Sequence, residues 1–124
     1  VNIIDGGEGV KADLVPLSRE PEYRRSFARR VRQNLRDDTG AVFQAWCALP
    51  ADIIIGKLQA WTEGRSPKHP SDILSMLVFS MSGMGKQSID DQAISIRAAR
   101  MGLETLRVWQ ELFARAQRES RSAQ

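Results

Sequence analysis

Cysteine and histidine each occur once in these 124 residues, as Cys47 and His69. A lone cysteine excludes a disulfide within the chain and suits a reducing compartment, so a cytoplasmic setting is expected. A lone histidine excludes a multi-histidine metal site within one chain. No apolar run approaches the roughly 20 residues that cross a bilayer, so no membrane partner is expected. The stretch 1–9 is acidic and glycine-rich rather than basic and then apolar, unlike a secretory leader. The Gly-x-Gly-x-x-Gly fingerprint, the Walker-type Gly-Lys-Ser/Thr loop and the Gly-x-Ser-x-Gly elbow are also missing. Gly83-Met84-Gly85-Lys86 lacks the rest of a phosphate loop. A Cys–His dyad has little support, because Cys47 reads as part of a buried strand.

Hydrophobic residues make up 42% of the chain and charged residues 27%, the balance of a folded domain rather than a disordered tail. The length fits one domain or a large piece of one. A net charge of +3 and an isoelectric point near 9.5 tolerate a phosphate-bearing partner without requiring one.

Up to about residue 49 the pattern mixes strand and helix, and beyond it the chain reads as helical. Residues 1–4 and 10–17 are apolar runs joined by Asp5-Gly6-Gly7-Glu8-Gly9, a hairpin composition. Pro21 suits the first turn of a helix over about residues 22–29. Residues 31–35 and 41–48 flank Arg36-Asp37-Asp38-Thr39-Gly40 as a second hairpin, with 42–47 expected as a buried strand. A helix is expected from Pro50 to about residue 63, stopped by Gly64. Another spans about 70–81. A third starts at Ser88, with Ser88 and Asp91 as a capping-box pair, and ends at Gly102. The last runs from 103 to about 119 on an apolar arc including Leu106, Trp109 and Phe113, and residues 120–124 read as frayed. The expected fold is therefore α+β. About four strands form a partial antiparallel or mixed sheet over residues 1–49, and a bundle of about four helices follows over 50–124, the whole forming one compact unit.

Four features can carry chemistry. Asp13 lies in a short apolar run, where a carboxylate either faces solvent from an edge strand or needs a metal, a cation or backbone donors. Lys57 falls on the helical arc of Ile53, Ile54, Leu58 and Trp61. It either snorkels out of that arc or points into a cleft, where a compact positive charge suits phosphate. Arg65, Lys68, His69 and Asp72 occupy a turn and the helix start after it. There the acid is favoured by the helix dipole, and His69 reads as a turn or capping residue. Finally, Arg24, Arg25, Arg29, Arg30 and Arg32 form a basic cluster, either a solvated face or a nucleic-acid footprint.

The order of these features resembles small bacterial nucleotidyltransferase-fold proteins, the group that includes toxin-type members related to abortive-infection systems. The resemblance rests on Asn2-Ile3-Ile4-Asp5 and Val10-Lys11-Ala12-Asp13-Leu14-Val15-Pro16-Leu17, then Phe27-Ala28-Arg29-Arg30-Val31-Arg32. It continues through Leu49-Pro50-Ala51-Asp52-Ile53-Ile54-Ile55-Gly56-Lys57-Leu58 and the turn with Arg65, Lys68, His69, Asp72 and Ile73. It spans about residues 2–115.

The resemblance implies transfer of a nucleoside monophosphate from a triphosphate to a hydroxyl acceptor. Asp13 then looks like the third metal carboxylate, Lys57 like the helix lysine on the nucleotide phosphates, and Arg65 and Asp72 like a later pair lining the same cleft. Asp72 is expected to orient Lys57. The family's Gly-Ser and Asp-x-Asp motifs do not occur here, so a truncated or degenerate member is expected. Magnesium would be held only if further residues or a partner complete the site. Two other classes stay open. One is an interaction module that dimerises through an exposed sheet edge. The other is a protein that binds DNA or RNA through the arginine cluster.

Overall fold

The structure is a computed structural model that describes residues 2–85 and 88–123, with the side chain of Asn2 set aside. Val1, in the first expected strand, and Lys86, beside the glycine turn, lie outside the described residues. The fold class is α+β, with two two-stranded antiparallel sheets and five helices among the described residues. The chain divides into two units, Val1–Ala48 and Leu49–Gln124.

In the first unit, β1 (Asn2–Asp5) pairs with β2 (Val10–Asp13) in the register Ile3↔Ala12 and Ile4↔Lys11. Asp5 closes the turn. Its Oδ1 accepts from the backbone N–H groups of Gly7 at 3.0 Å and Glu8 at 3.3 Å. Gly9 has φ +69°, a left-handed conformation that glycine adopts without a Cβ clash. The second strand stops at Asp13 rather than running to residue 17. Pro16 has no N–H for a ladder and biases the residue before it, Val15, away from a regular continuation.

Helix α1 (Pro21–Ala28) begins on proline, as expected. The second hairpin follows, β3 (Val31–Arg36) against β4 (Val42–Cys47), with Arg32↔Trp46, Asn34↔Gln44 and Arg36↔Val42 opposite one another. Asp37 fastens its turn by accepting from Thr39 Oγ1 at 2.6 Å, Thr39 N at 2.9 Å and Ala41 N at 3.0 Å. The Thr39 hydroxyl, helped by backbone donors, holds the Asp37 carboxyl below its ordinary range. The expected burial of this strand is not found. Val42 and Trp46 are each 58% exposed, and none of the described residues up to Ala48 is buried. A two-stranded ribbon has too little apolar cover to bury its own faces.

The second unit has a core. Helices α2 (Pro50–Gly64), α3 (Lys68–Met81), α4 (Asp91–Met101) and α5 (Leu103–Ser122) contribute Ile54 and Leu58, Ile73 and Leu77, Ile94 and Ala98, and Trp109 and Ala116, all inaccessible to solvent. On the first three helices the buried pair is spaced i, i+4, which stacks both side chains on one face. Each buried Ile or Leu contributes about 1.5–3 kcal/mol. Trp109 keeps its polar end satisfied inside this core. Its indole N–H donates to Asp91 Oδ1 at 2.8 Å and Ser95 Oγ at 3.1 Å.

That contact explains a difference at the start of α4. Ser88 was the expected cap with Asp91 as its partner. Instead Asp90 caps the helix by accepting from Ala93 N at 3.2 Å, because the Asp91 carboxylate is taken by Trp109. The end of α5 also differs. The helix continues to Ser122, and Ser120, expected to fray, is buried at 9% exposure with its hydroxyl 3.9 Å from Met81 Sδ. At α2, Leu49 gives no side-chain cap and Pro50 takes the first helical position.

Further polar ties cross the bundle. Thr62 Oγ1 and Thr105 Oγ1 lie 2.8 Å apart, joining α2 to α5. Arg97 on α4 donates to Asp52 on α2 at 3.2 Å, and the Asp52 side chain is only 3% exposed. Removing one member of a buried ion pair weakens the compensation of the charge that remains. Arg97→Ala should therefore destabilise the fold by on the order of 1–3 kcal/mol. The exposed control Ile53→Ala should cost far less, both read from urea unfolding followed by helical circular dichroism.

Candidate functional site

Lys57 is placed by its neighbours. It sits three residues after Ile54 and one before Leu58, both fully buried, so it leaves the core at the edge of the apolar stripe. Asp72 occupies the matching place on α3, directly before the buried Ile73. The packing of α2 on α3 brings the two charges together. Lys57 Nζ donates to Asp72 Oδ2 at 2.8 Å, with the side chains 27% and 38% exposed.

The hydrogen bond from Lys57 is the main reason the Asp72 carboxyl lies below its ordinary range, against a partial desolvation that pushes it up. The charge of Lys57 and those of Lys68 and His69 act in the same direction. Thus one carboxylate in the first turns of α3 has three basic side chains around it. His69 stands in the first turn of this helix, and its Nδ1 is shut off from solvent with no hydrogen-bond partner among the described residues.

Arg65 has other partners. It ends α2 in a left-handed conformation with φ 58°, so the stop comes one residue later than the expected Gly64. Its guanidinium meets Glu104 in the first turn of α5 through two contacts of 2.7 and 2.8 Å. It also lies over the Trp61 ring, 4.3 Å from the centroid. A left-handed residue with a Cβ carries a cost of about 1–2 kcal/mol, which these exposed contacts offset only in part. The fork-shaped hydrogen bonding raises Arg65 and lowers Glu104 from their ordinary values.

Asp13 belongs to the first unit, at the end of β2. Lys11 Nζ lies 3.7 Å from its Oδ1, and the Asp13 side chain is 57% exposed. Magnesium takes near-octahedral oxygen coordination, usually from one or two carboxylates plus water and substrate phosphates. The described residues hold no group of three or more His, Cys, Asp or Glu side chains arranged for a metal. The neighbour of Asp13 is a cation. These residues do not by themselves fit a magnesium ion.

The pair Lys57–Asp72 was legible as a possibility in the sequence, while the contribution of Glu104 was not. No family model, curated protein or solved structure matches the chain. The local geometry therefore carries the functional argument.

The pH dependence of the Lys57–Asp72 pair has a fixed sign. A carboxyl lowered in the folded state adds stability that is full above its unfolded value of about 4 and is lost as pH falls through the lower folded value. Asp72→Asn should lower the melting temperature relative to the native chain at pH 6. The difference should shrink steadily below about pH 4, checked by thermal melts across pH.

Proposed function

We propose that the chain is a nucleotidyltransferase-like protein in which Lys57 binds a nucleotide phosphate and Asp72 positions it. The observation that carries this reading is the half-buried 2.8 Å contact between the two side chains. An ammonium has three donors, and Asp72 accepts one of them. A phosphate oxygen can take another while Asp72 holds the flexible lysine stem in place. A positive centre leaving the edge of an apolar stripe suits such a role better than one extended into bulk water, because its field is less screened. Lys68 adds positive charge at the same helix start.

The resemblance in motif order supports the same assignment, since it expects Lys57 and Asp72 as partners. It also names Arg65 and Asp13. Arg65 enters this reading through Glu104 and the end of α2 rather than through Asp72. Magnesium enters only with ligands from outside the described residues, and phosphate recognition by Lys57 does not depend on it.

Isothermal titration with a nucleoside triphosphate in the absence of divalent cations tests this. The native chain should bind, and Lys57→Ala should weaken binding roughly tenfold, the size of one lost charge-assisted hydrogen bond. Unchanged affinity in the variant, or no heat at millimolar nucleotide, would remove the reading.

A second reading is favoured by a different observation. On the β1–β2 hairpin Ile3, Ile4 and Val10 are 55%, 69% and 59% exposed. A two-stranded sheet offers open edges for another strand. Pairing with a second copy would extend the sheet and set new side chains beside Ile3 and Val10 on one face and Ile4 on the other. Size-exclusion with light scattering should then report a dimer that Ile4→Lys disrupts, whereas a strict monomer across the concentration range contradicts it.

A further inference from the structure

The arginine cluster has a geometry that phosphate binding at Lys57 leaves unused. Between residues 24 and 36 stand Arg24, Arg25, Arg29, Arg30, Arg32 and Arg36, with no acidic residue among them. Glu22 takes Arg25 at 2.8 Å and Arg29 at 3.7 Å. Arg24 stays on α1, Arg32 and Arg36 belong to β3, and Arg30 directly precedes that strand.

Cross-strand pairing sorts that ribbon into two unlike faces. Arg32↔Trp46, Asn34↔Gln44 and Arg36↔Val42 share one face, and all six are exposed. Val31↔Cys47, Gln33↔Ala45 and Leu35↔Phe43 lie on the other, which is largely apolar: the first four residues are partly buried and Leu35 and Phe43 are exposed. The first face is therefore basic and polar around one aromatic ring. Trp46 is 58% exposed, and two guanidinium groups flank it, Arg30 at 4.7 Å and Arg32 at 5.5 Å from the ring centroid. Arg30 also lies over Phe27 at 3.9 Å, and Phe27 is 49% exposed. Asp37, the nearest acid in sequence, is engaged by Thr39 and Ala41 in its own turn.

We propose that this face of the β3–β4 ribbon binds a single-stranded nucleic acid. Arg32 and Arg36 would meet backbone phosphates, and an unstacked base would stack on Trp46 and the guanidinium planes beside it. Charge complementarity selects a polyanion. The exposed indole selects one whose bases are free to stack, because rings paired inside a duplex cannot reach it. Asn34 and Gln44 add amide donors and acceptors that tolerate any base edge. This surface lies in Val1–Ala48, while Lys57 lies in Leu49–Gln124, so the two proposals stand or fall separately.

The test uses the full chain and a fluorescein-labelled oligouridine of about 12 nucleotides, followed by anisotropy. Binding is expected at about 50 mM salt and should fall steeply by about 200 mM. Trp46→Ala should weaken it roughly tenfold, as loss of one stacking platform does. Trp46→Phe should retain most of it while Trp46→Leu does not, a comparison that separates stacking from misfolding. Arg32→Ala and Arg36→Ala should each reduce the salt slope by about one. A duplex of the same length should bind more weakly and ignore Trp46→Ala. Three results would each overturn the proposal. One is no binding at low salt, another is equal binding of single strand and duplex, and the third is tighter binding to anionic lipid vesicles than to the oligonucleotide.

Discussion

Burial of Ile54 and Leu58 on α2 with Ile73 and Leu77 on α3 is the constraint from which the rest of the candidate site follows. All four side chains are inaccessible to solvent and belong to one core. An α-helix turns through about 100° per residue, so once these stripes face inward the neighbouring positions have no further freedom. Lys57 must emerge at the edge of one stripe and Asp72 at the edge of the other. The ion pair is thus a consequence of apolar packing, and its charges are held where partial burial strengthens their field. Trp109 plays a comparable organising part in the same core. Its ring fills the core, and its N–H fixes Asp91, which in turn leaves capping of α4 to Asp90.

The two units use different physics. Leu49–Gln124 has a continuous buried core with polar ties across it, Thr62–Thr105 and Arg97–Asp52 among them. Val1–Ala48 has local order instead. Its hairpin turns are closed by Asp5 and Asp37, its short helix opens on Pro21, and its arginines stack on exposed rings. Apolar side chains such as Ile4 and Val42 remain open to solvent there. Single exposed apolar residues are ordinary. Their repetition along both hairpins is the feature that favours a binding surface.

Much of this was legible from residue pattern. Pro50, the Ser88–Asp91 capping pattern, Gly102 and the apolar arc of the last helix marked helices of the bundle, and the Gly- and Asp-rich turns marked both hairpins. Pairing of Lys57 with Asp72 was expected through the resemblance and not from either residue's own pattern. What escaped was whatever depended on choice between near-equal local options or on distant partners. Ser88 and Asp90 are both competent caps, and the engagement of Asp91 by Trp109 and Ser95 accompanies the choice of Asp90. Gly64 is the usual residue for a left-handed stop, yet Arg65 takes it because Glu104, 39 residues away, holds its guanidinium. Burial of the strand carrying Trp46 was inferred from β-branched and aromatic composition, but composition cannot say whether anything lies over the strand. Ser120 was read as frayed because its neighbours are polar, whereas its own position follows the buried stripe one turn beyond Ala116.

The central claim is that Lys57, positioned by Asp72, is a phosphate contact. The most direct measurement is the side-chain Nζ resonance of Lys57, observed by nitrogen-15 nuclear magnetic resonance while inorganic triphosphate is added. The account predicts a saturable shift of the Lys57 signal, with Lys11 in the other unit unmoved, and loss of the response in Asp72→Asn. A Lys57 signal that stays in place, or one that drifts in step with Lys11, would contradict it.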